Sequence, residues 1–144
     1  IAPQVLPYIS TTFCAVVVGV LDAAMAAATA YLGPKAQSLR ALERREWTHA
    51  LNQQWLAQSA LETMISACER GGDPNAAARH GKVCISELSE SAMNSLAKAV
   101  GGRAFSRSLP FGQWAQDVRA LGFLRPPWGL AFDQIYDAFA QEHG

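Results

Sequence analysis

Paired glycines and prolines cut this chain into long uninterrupted stretches, and that punctuation decides most of what it can fold into. The breaks are Gly33-Pro34, Gly71-Gly72-Asp73-Pro74, Gly101-Gly102 and Arg125-Pro126-Pro127. Between them apolar residues recur at alternating spacings of three and four, the period of a helix face. Residues 9–33 carry Val18, Leu21, Met25, Ala28 and Leu32 on such a stripe, with Gly33-Pro34 as its end. Residues 41–70 carry Ala57, Leu61, Met64 and Cys68, with Trp47, Leu51 and Trp55 on an adjoining stripe. Asp73-Pro74 supplies an N-cap and a first-turn proline for a third helix over 74–100, which buries Ile85, Leu88, Ala92, Leu96 and Ala99. The remainder is broken: a short helix over 111–121, a proline turn, and a last helix over 130–141. Alternating β-branched runs are missing, and short loops join long helices. The pattern predicts an all-α, up-down helical bundle.

The first stretch is apolar nearly all round. A lone bundle of this size has no use for that surplus face, which implies another domain, a related subunit or self-association. Asp22 in its middle, and the lack of a basic flank, favour a buried bundle helix over a membrane span or a signal segment. Twelve acidic and twelve basic residues are interspersed, giving a net charge of zero, which excludes electrostatic recruitment of nucleic acid. The longest charge run, Glu43-Arg44-Arg45-Glu46, reads as a solvated helix start. Cys14, Cys68 and Cys84 are odd in number and sit among apolar neighbours. They are expected to be reduced, buried thiols of a cytoplasmic protein, not a disulfide frame or a metal site. The chain starts at Ile1 without an initiator Met and is read as one domain, residues 1–144, of a longer or processed product.

Residues 101–119 carry a glycine pair, Ala104, Pro110 and a Gln116-Asp117-Val118-Arg119 segment. This stretch resembles the turn near the end of the C-terminal helical domain of acyl-CoA dehydrogenases, where Gly-Gly-x-Gly, Pro and Arg-Asp-x-Arg occur at the same spacing. Gly19–Tyr31 is similar to the first helix of that domain, with its Gly, its run of small residues and its closing Tyr. The resemblance implies a bundle that packs on upstream helical and β domains, builds oligomer contacts and forms one wall of an FAD site. It implies flavin contacts from Lys35, which stands at the family's Arg position, and from Gly101 and Gly102. The family's Gln ahead of the glycine pair is Lys98 here, its third Gly is Ala104, and the Arg of its Arg-Asp pair is Gln116.

Acyl-CoA dehydrogenases need a carboxylate that takes the proton alpha to the thioester while hydride leaves the beta carbon for the flavin. The resemblance places that Glu eight residues beyond Asp117, where this chain has Arg125 followed by Pro126-Pro127. The family's alternative base position falls near Ile9, and no acid lies between Ile1 and Leu21. No catalytic residue is therefore assigned, and the isolated chain is expected to be inactive and to bind flavin poorly. Two other settings stay open: a flavin-dependent monooxygenase or oxidase on the same scaffold, and a non-catalytic partner subunit.

The other polar residues have plainer uses. Asp22 is read as a satisfied helix acid before a base. His49 and His80 are placed at the solvent face. Asp117 and Arg119 are read as an intra-domain ion pair pinning the broken fourth region. The four tryptophans are read as core and interface anchors, with Trp128 holding the proline turn against the bundle. The glycine pair is first a helix stop, since it lacks the strand context of a dinucleotide fingerprint.

Overall fold

The computed structural model describes residues 4–144 and contains five α-helices, with no strand among the described residues. These are α1 (Leu6–Leu32), α2 (Ala41–Arg70), α3 (Pro74–Val100), α4 (Phe111–Ala120) and α5 (Trp128–His143). Short 3₁₀ turns follow α1, α3 and α4. The bundle is up-down: α1 and α3 start at one end, and α2 runs back between their connections.

The breaks act through distinct physics. Gly71 and Gly72 take φ of +90° and +119°, which side-chain-bearing residues avoid, so α2 stops at Arg70. Asp73 then accepts a hydrogen bond from the Ala76 amide at 3.0 Å, and Pro74 opens α3 where its missing N–H costs nothing. Gly101, at φ +82°, ends α3. Glu43 accepts from the Arg40 amide at 2.8 Å, so the charged start of α2 is also a cap. Gly33-Pro34 behaves differently from the expectation. Gly33 keeps helical dihedrals, and Gly33–Ser38 tightens into a 3₁₀ turn before Leu39 turns the chain. Pro34 lacks the N–H that would continue the α-helical ladder beyond the Gly33–Thr29 bond, so the chain tightens into a 3₁₀ turn and does not stop sharply. α1 also begins three residues earlier than its periodicity suggests, because Pro7 is tolerated in the first turn.

The predicted stripes form the core, except that Leu61, Cys68 and Leu88 at their edges are only half-buried. Leu21, Leu32, Ile85, Leu96 and Met64 are fully buried, and α1 packs on α2, α3 and α4. Each such large side chain contributes about 1.5–3 kcal/mol through burial. By length and composition α1 would also suffice to cross a membrane. Here its stripe of Cys14, Val17, Val18, Leu21, Ala24, Met25, Ala28 and Leu32 is buried by the other helices. Trp47 leans on the core, but Leu51 and Trp55 are exposed among the described residues, so the second stripe of α2 is only partly covered. Of the cysteines only Cys14 is buried; Cys68 is half-buried and Cys84 exposed, because Cys84 precedes Ile85 and so falls off the buried stripe of α3. Trp128 is 62% exposed at the head of α5 and does not seal the proline turn as expected.

Gly81 of α3 packs directly on α2, where an added Cβ would collide with Sδ and Cγ of buried Met64. Gly81→Ala is expected to lower stability by about 1–3 kcal/mol through overpacking. Gly112→Ala in α4, where a Cβ meets nothing within 4 Å, is expected to raise it by about 0.4–1 kcal/mol. Urea melts of the two variants check the pair; equal shifts would show that the α2–α3 approach is slack.

Candidate functional site

Two places on the bundle gather chemistry-bearing residues, one at each end. The first is built on Tyr31, in the last turn of α1. The Lys35 ammonium lies over its ring, 3.8 Å from the centroid, and the Arg103 guanidinium approaches the same ring at 5.0 Å. Lys35 comes from the 3₁₀ turn after α1 and Arg103 from the one after α3, so the aromatic face joins two segments far apart in sequence. A hydrogen-bonding approach by Lys35, reinforced by the charges of Lys35 and Arg103, holds the Tyr31 phenol below its ordinary range. Gly101 and Gly102 lie immediately before Arg103, and a Cβ on either would meet nothing within 4 Å. Open backbone beside two cations suits a polyanion such as a diphosphate.

The second place is a cavity of about 490 Å³ at the opposite end. Its walls come from the start of α1, the first turns of α3, the Arg125-Pro126 turn and α5. Ile9 and Arg125 both line it, although 116 positions separate them in sequence. Lys82 holds the turn in place. Its side chain is only 6% exposed, and its ammonium donates to the Leu124 carbonyl at 2.6 Å and to the Pro126 carbonyl. Burial pushes the Lys82 pKa down, with neighbouring Cys14 pulling it up. Arg79 adds a buried Nε that has no hydrogen-bond partner among the described residues. Asp137 of α5 is the one acid on the wall among the described residues.

The family model for the C-terminal domain of acyl-CoA dehydrogenase matches residues 10–125. The chain belongs to the acyl-CoA dehydrogenase family. The match takes in most of α1 and all of α2 to α4, whereas the first turn of α1 and all of α5 lie outside it. No curated protein and no solved structure matches the chain.

Against this family background, the structure brings Lys35, Gly101 and Gly102 to one end of the domain, and it puts Arg125 and Ile9 on one cavity. Asp22, Asp117, Arg119 and His49 each find partners within the bundle. Asp22 accepts from the Gln54 and Gln58 side-chain amides at 2.8 and 2.9 Å, a satisfied helix acid with neutral partners. Asp117 and Arg119 do not pair with each other. Asp117 accepts from Gln113 at 2.8 Å, and Arg119 reaches Glu90 of α3 at 3.6 Å. The expected pin of α4 to the bundle therefore exists through a different acid, because Asp117 and Arg119 are two residues apart and face different sides of a helix. His49 and His80 are exposed, and His49 meets Ser95 at 3.1 Å between its Nδ1 and the hydroxyl. Sequence reasoning missed Arg79, Lys82 and Asp137. Lys82 left a trace, as a cation four residues after Ala78 and three before Ile85 on a buried face.

Burial pushes the Cys14 thiol up to about 12, with Lys82 acting in the opposite direction. Its folded pKa thus lies above the ordinary 9.0, so the stabilisation it gives is complete below pH 9 and is lost as pH climbs from 9 toward 12. A disulfide reagent at pH 8 is expected to label exposed Cys84 fast and Cys14 only on unfolding, and Cys14→Ala should flatten the alkaline loss of stability. One fast phase for all three thiols would contradict the burial of Cys14.

Proposed function

We propose that this chain is the C-terminal helical domain of an acyl-CoA dehydrogenase-like flavoprotein, supplying part of an FAD site and oligomer contacts without supplying the usual base. The convergence of Tyr31, Lys35, Gly101 and Arg103 at one end of the bundle carries this reading. The two cations fit the charge of a dinucleotide diphosphate, and the open backbone of Gly102 permits close approach. Lys35 offers a point charge and not the bidentate fork of the family's Arg, while Arg103 restores a guanidinium beside it. When bound, FAD would accept the hydride; the residues of this chain hold its phosphates and shape the cavity.

Arg125 cannot remove a proton from an acyl thioester, because guanidinium stays protonated at any usable pH. Ile9 at the alternative position carries no titratable group. The domain therefore serves binding and assembly, and where the parent performs desaturation the base comes from elsewhere. Ile9 and Tyr31 are 22 residues apart on α1, about 33 Å along the axis. That exceeds the reach from a diphosphate to its own flavin ring, so a flavin whose diphosphate lies at Tyr31 does not extend to the cavity of the same domain. A second copy or a related subunit then completes each site. The exposed Leu6, Phe13 and Val16 of α1, Trp55 of α2, and Phe132, Tyr136 and Phe139 of α5 supply apolar surface for such contacts. A cytoplasmic location accords with the three unpaired thiols.

In the flavoprotein that contains this domain, Lys35→Ala and Arg103→Ala are each expected to weaken FAD binding about tenfold or more, with helicity unchanged. The isolated chain should bind FAD poorly, since one wall does not make an enclosed pocket. Flavin fluorescence titration checks both, and full FAD affinity in the double variant would overturn the assignment. Arg125→Glu is not expected to confer acyl-CoA-dependent flavin bleaching, because Pro126 still removes a backbone donor beside the new carboxylate.

A further inference from the structure

The cavity at the start of α1 has a charge pattern that proton abstraction does not explain. Its volume, about 490 Å³, falls within the range of small-molecule sites. Leu6, Ile9, Phe13, Leu124 and Ala131 give it an apolar wall. Arg79, Lys82 and Arg125 line it with Asp137 as the only acid among the described residues, so the wall carries a surplus of positive charge. Lys82 spends two donors on the Leu124 and Pro126 carbonyls, which carry no net charge and leave the ammonium unneutralised. Arg79 and Arg125 both line the cavity, and neither forms a salt bridge among the described residues. A carboxylate is the acceptor that matches the fork of a guanidinium. A thioester carbonyl brings no charge, and a bare phosphate would leave the apolar wall uncovered.

We infer that this cavity binds an aliphatic carboxylate, with its chain along the Leu6–Ile9–Phe13 wall and its carboxylate at Arg79 and Arg125. Arg125, at the position where the family carries its acid, is then an anion-binding residue. Octanoate binding involves no flavin, so its failure would leave the flavin-domain reading untouched.

Isothermal titration of the 144-residue chain with octanoate, 1-octanol and inorganic phosphate tests this. Octanoate is expected to bind once per chain, with octanol and phosphate each at least about tenfold weaker. Arg125→Gln, at an exposed position, and Arg79→Gln should each weaken octanoate about tenfold or more. Arg107→Gln, outside the cavity, should not. Circular dichroism melts confirm that each variant is folded, and octanoate should raise the melting temperature of the unaltered chain. Octanol binding as tightly as octanoate, phosphate doing so, indifference to both arginine changes, or no saturable octanoate binding by folded chain would each overturn the inference.

Discussion

The buried stripe of α1 is the contact on which the other helices depend. Cys14, Val17, Leu21, Met25, Ala28 and Leu32 present one continuous apolar face, and α2, α3 and α4 all pack on α1. Because α1 and α3 start at the same end, this packing fixes which loops meet. It brings the turn after α1 beside the turn after α3, and the start of α1 beside the turn before α5. The Tyr31 cluster and the cavity thus follow from one helix packing in one direction.

At the cavity end a second constraint takes over. α5 packs chiefly on α3, and the turn that introduces it is tied by the Lys82 ammonium. A buried ammonium held only by carbonyls is electrostatically expensive, and its lowered pKa expresses that cost. Its position across from Cys14 links the same group to the α1 stripe. The site that carries the most unbalanced charge is therefore also where the last helix is fastened. Adjusting the cavity without loosening α5 means changing Arg79 or Arg125, not Lys82.

Much of the fold was legible in the residues. Gly71-Gly72-Asp73-Pro74 could only stop one helix and start another, and the stripes of α1 and α3 named part of each buried face, leaving out Cys14, Val17 and Ala24 on α1 and Ser89, Met93 and Val100 on α3. The misses share a cause: they depend on what lies across from a residue, which spacing along one helix does not reveal. Leu51 and Trp55 share helical spacing with Trp47 but find no partner helix among the described residues. Arg119 pairs with Glu90, which is distant in sequence, and not with neighbouring Asp117. Lys35 and Gly101-Gly102 were visible singly through the family resemblance, while Arg103 joined them only once Tyr31 was seen to face both turns. The cavity draws on four segments, so its surplus of cations had no signature along the sequence.

The proposed flavin-facing end is the Tyr31 end. A crystal structure of the flavoprotein that contains this domain, grown with FAD, is the most direct test of that assignment. The FAD diphosphate is expected within hydrogen-bonding distance of Lys35 or Arg103, with its flavin ring directed toward another subunit. FAD bound with its diphosphate away from both residues, or a single FAD whose diphosphate and ring contact both ends of one domain, would contradict it.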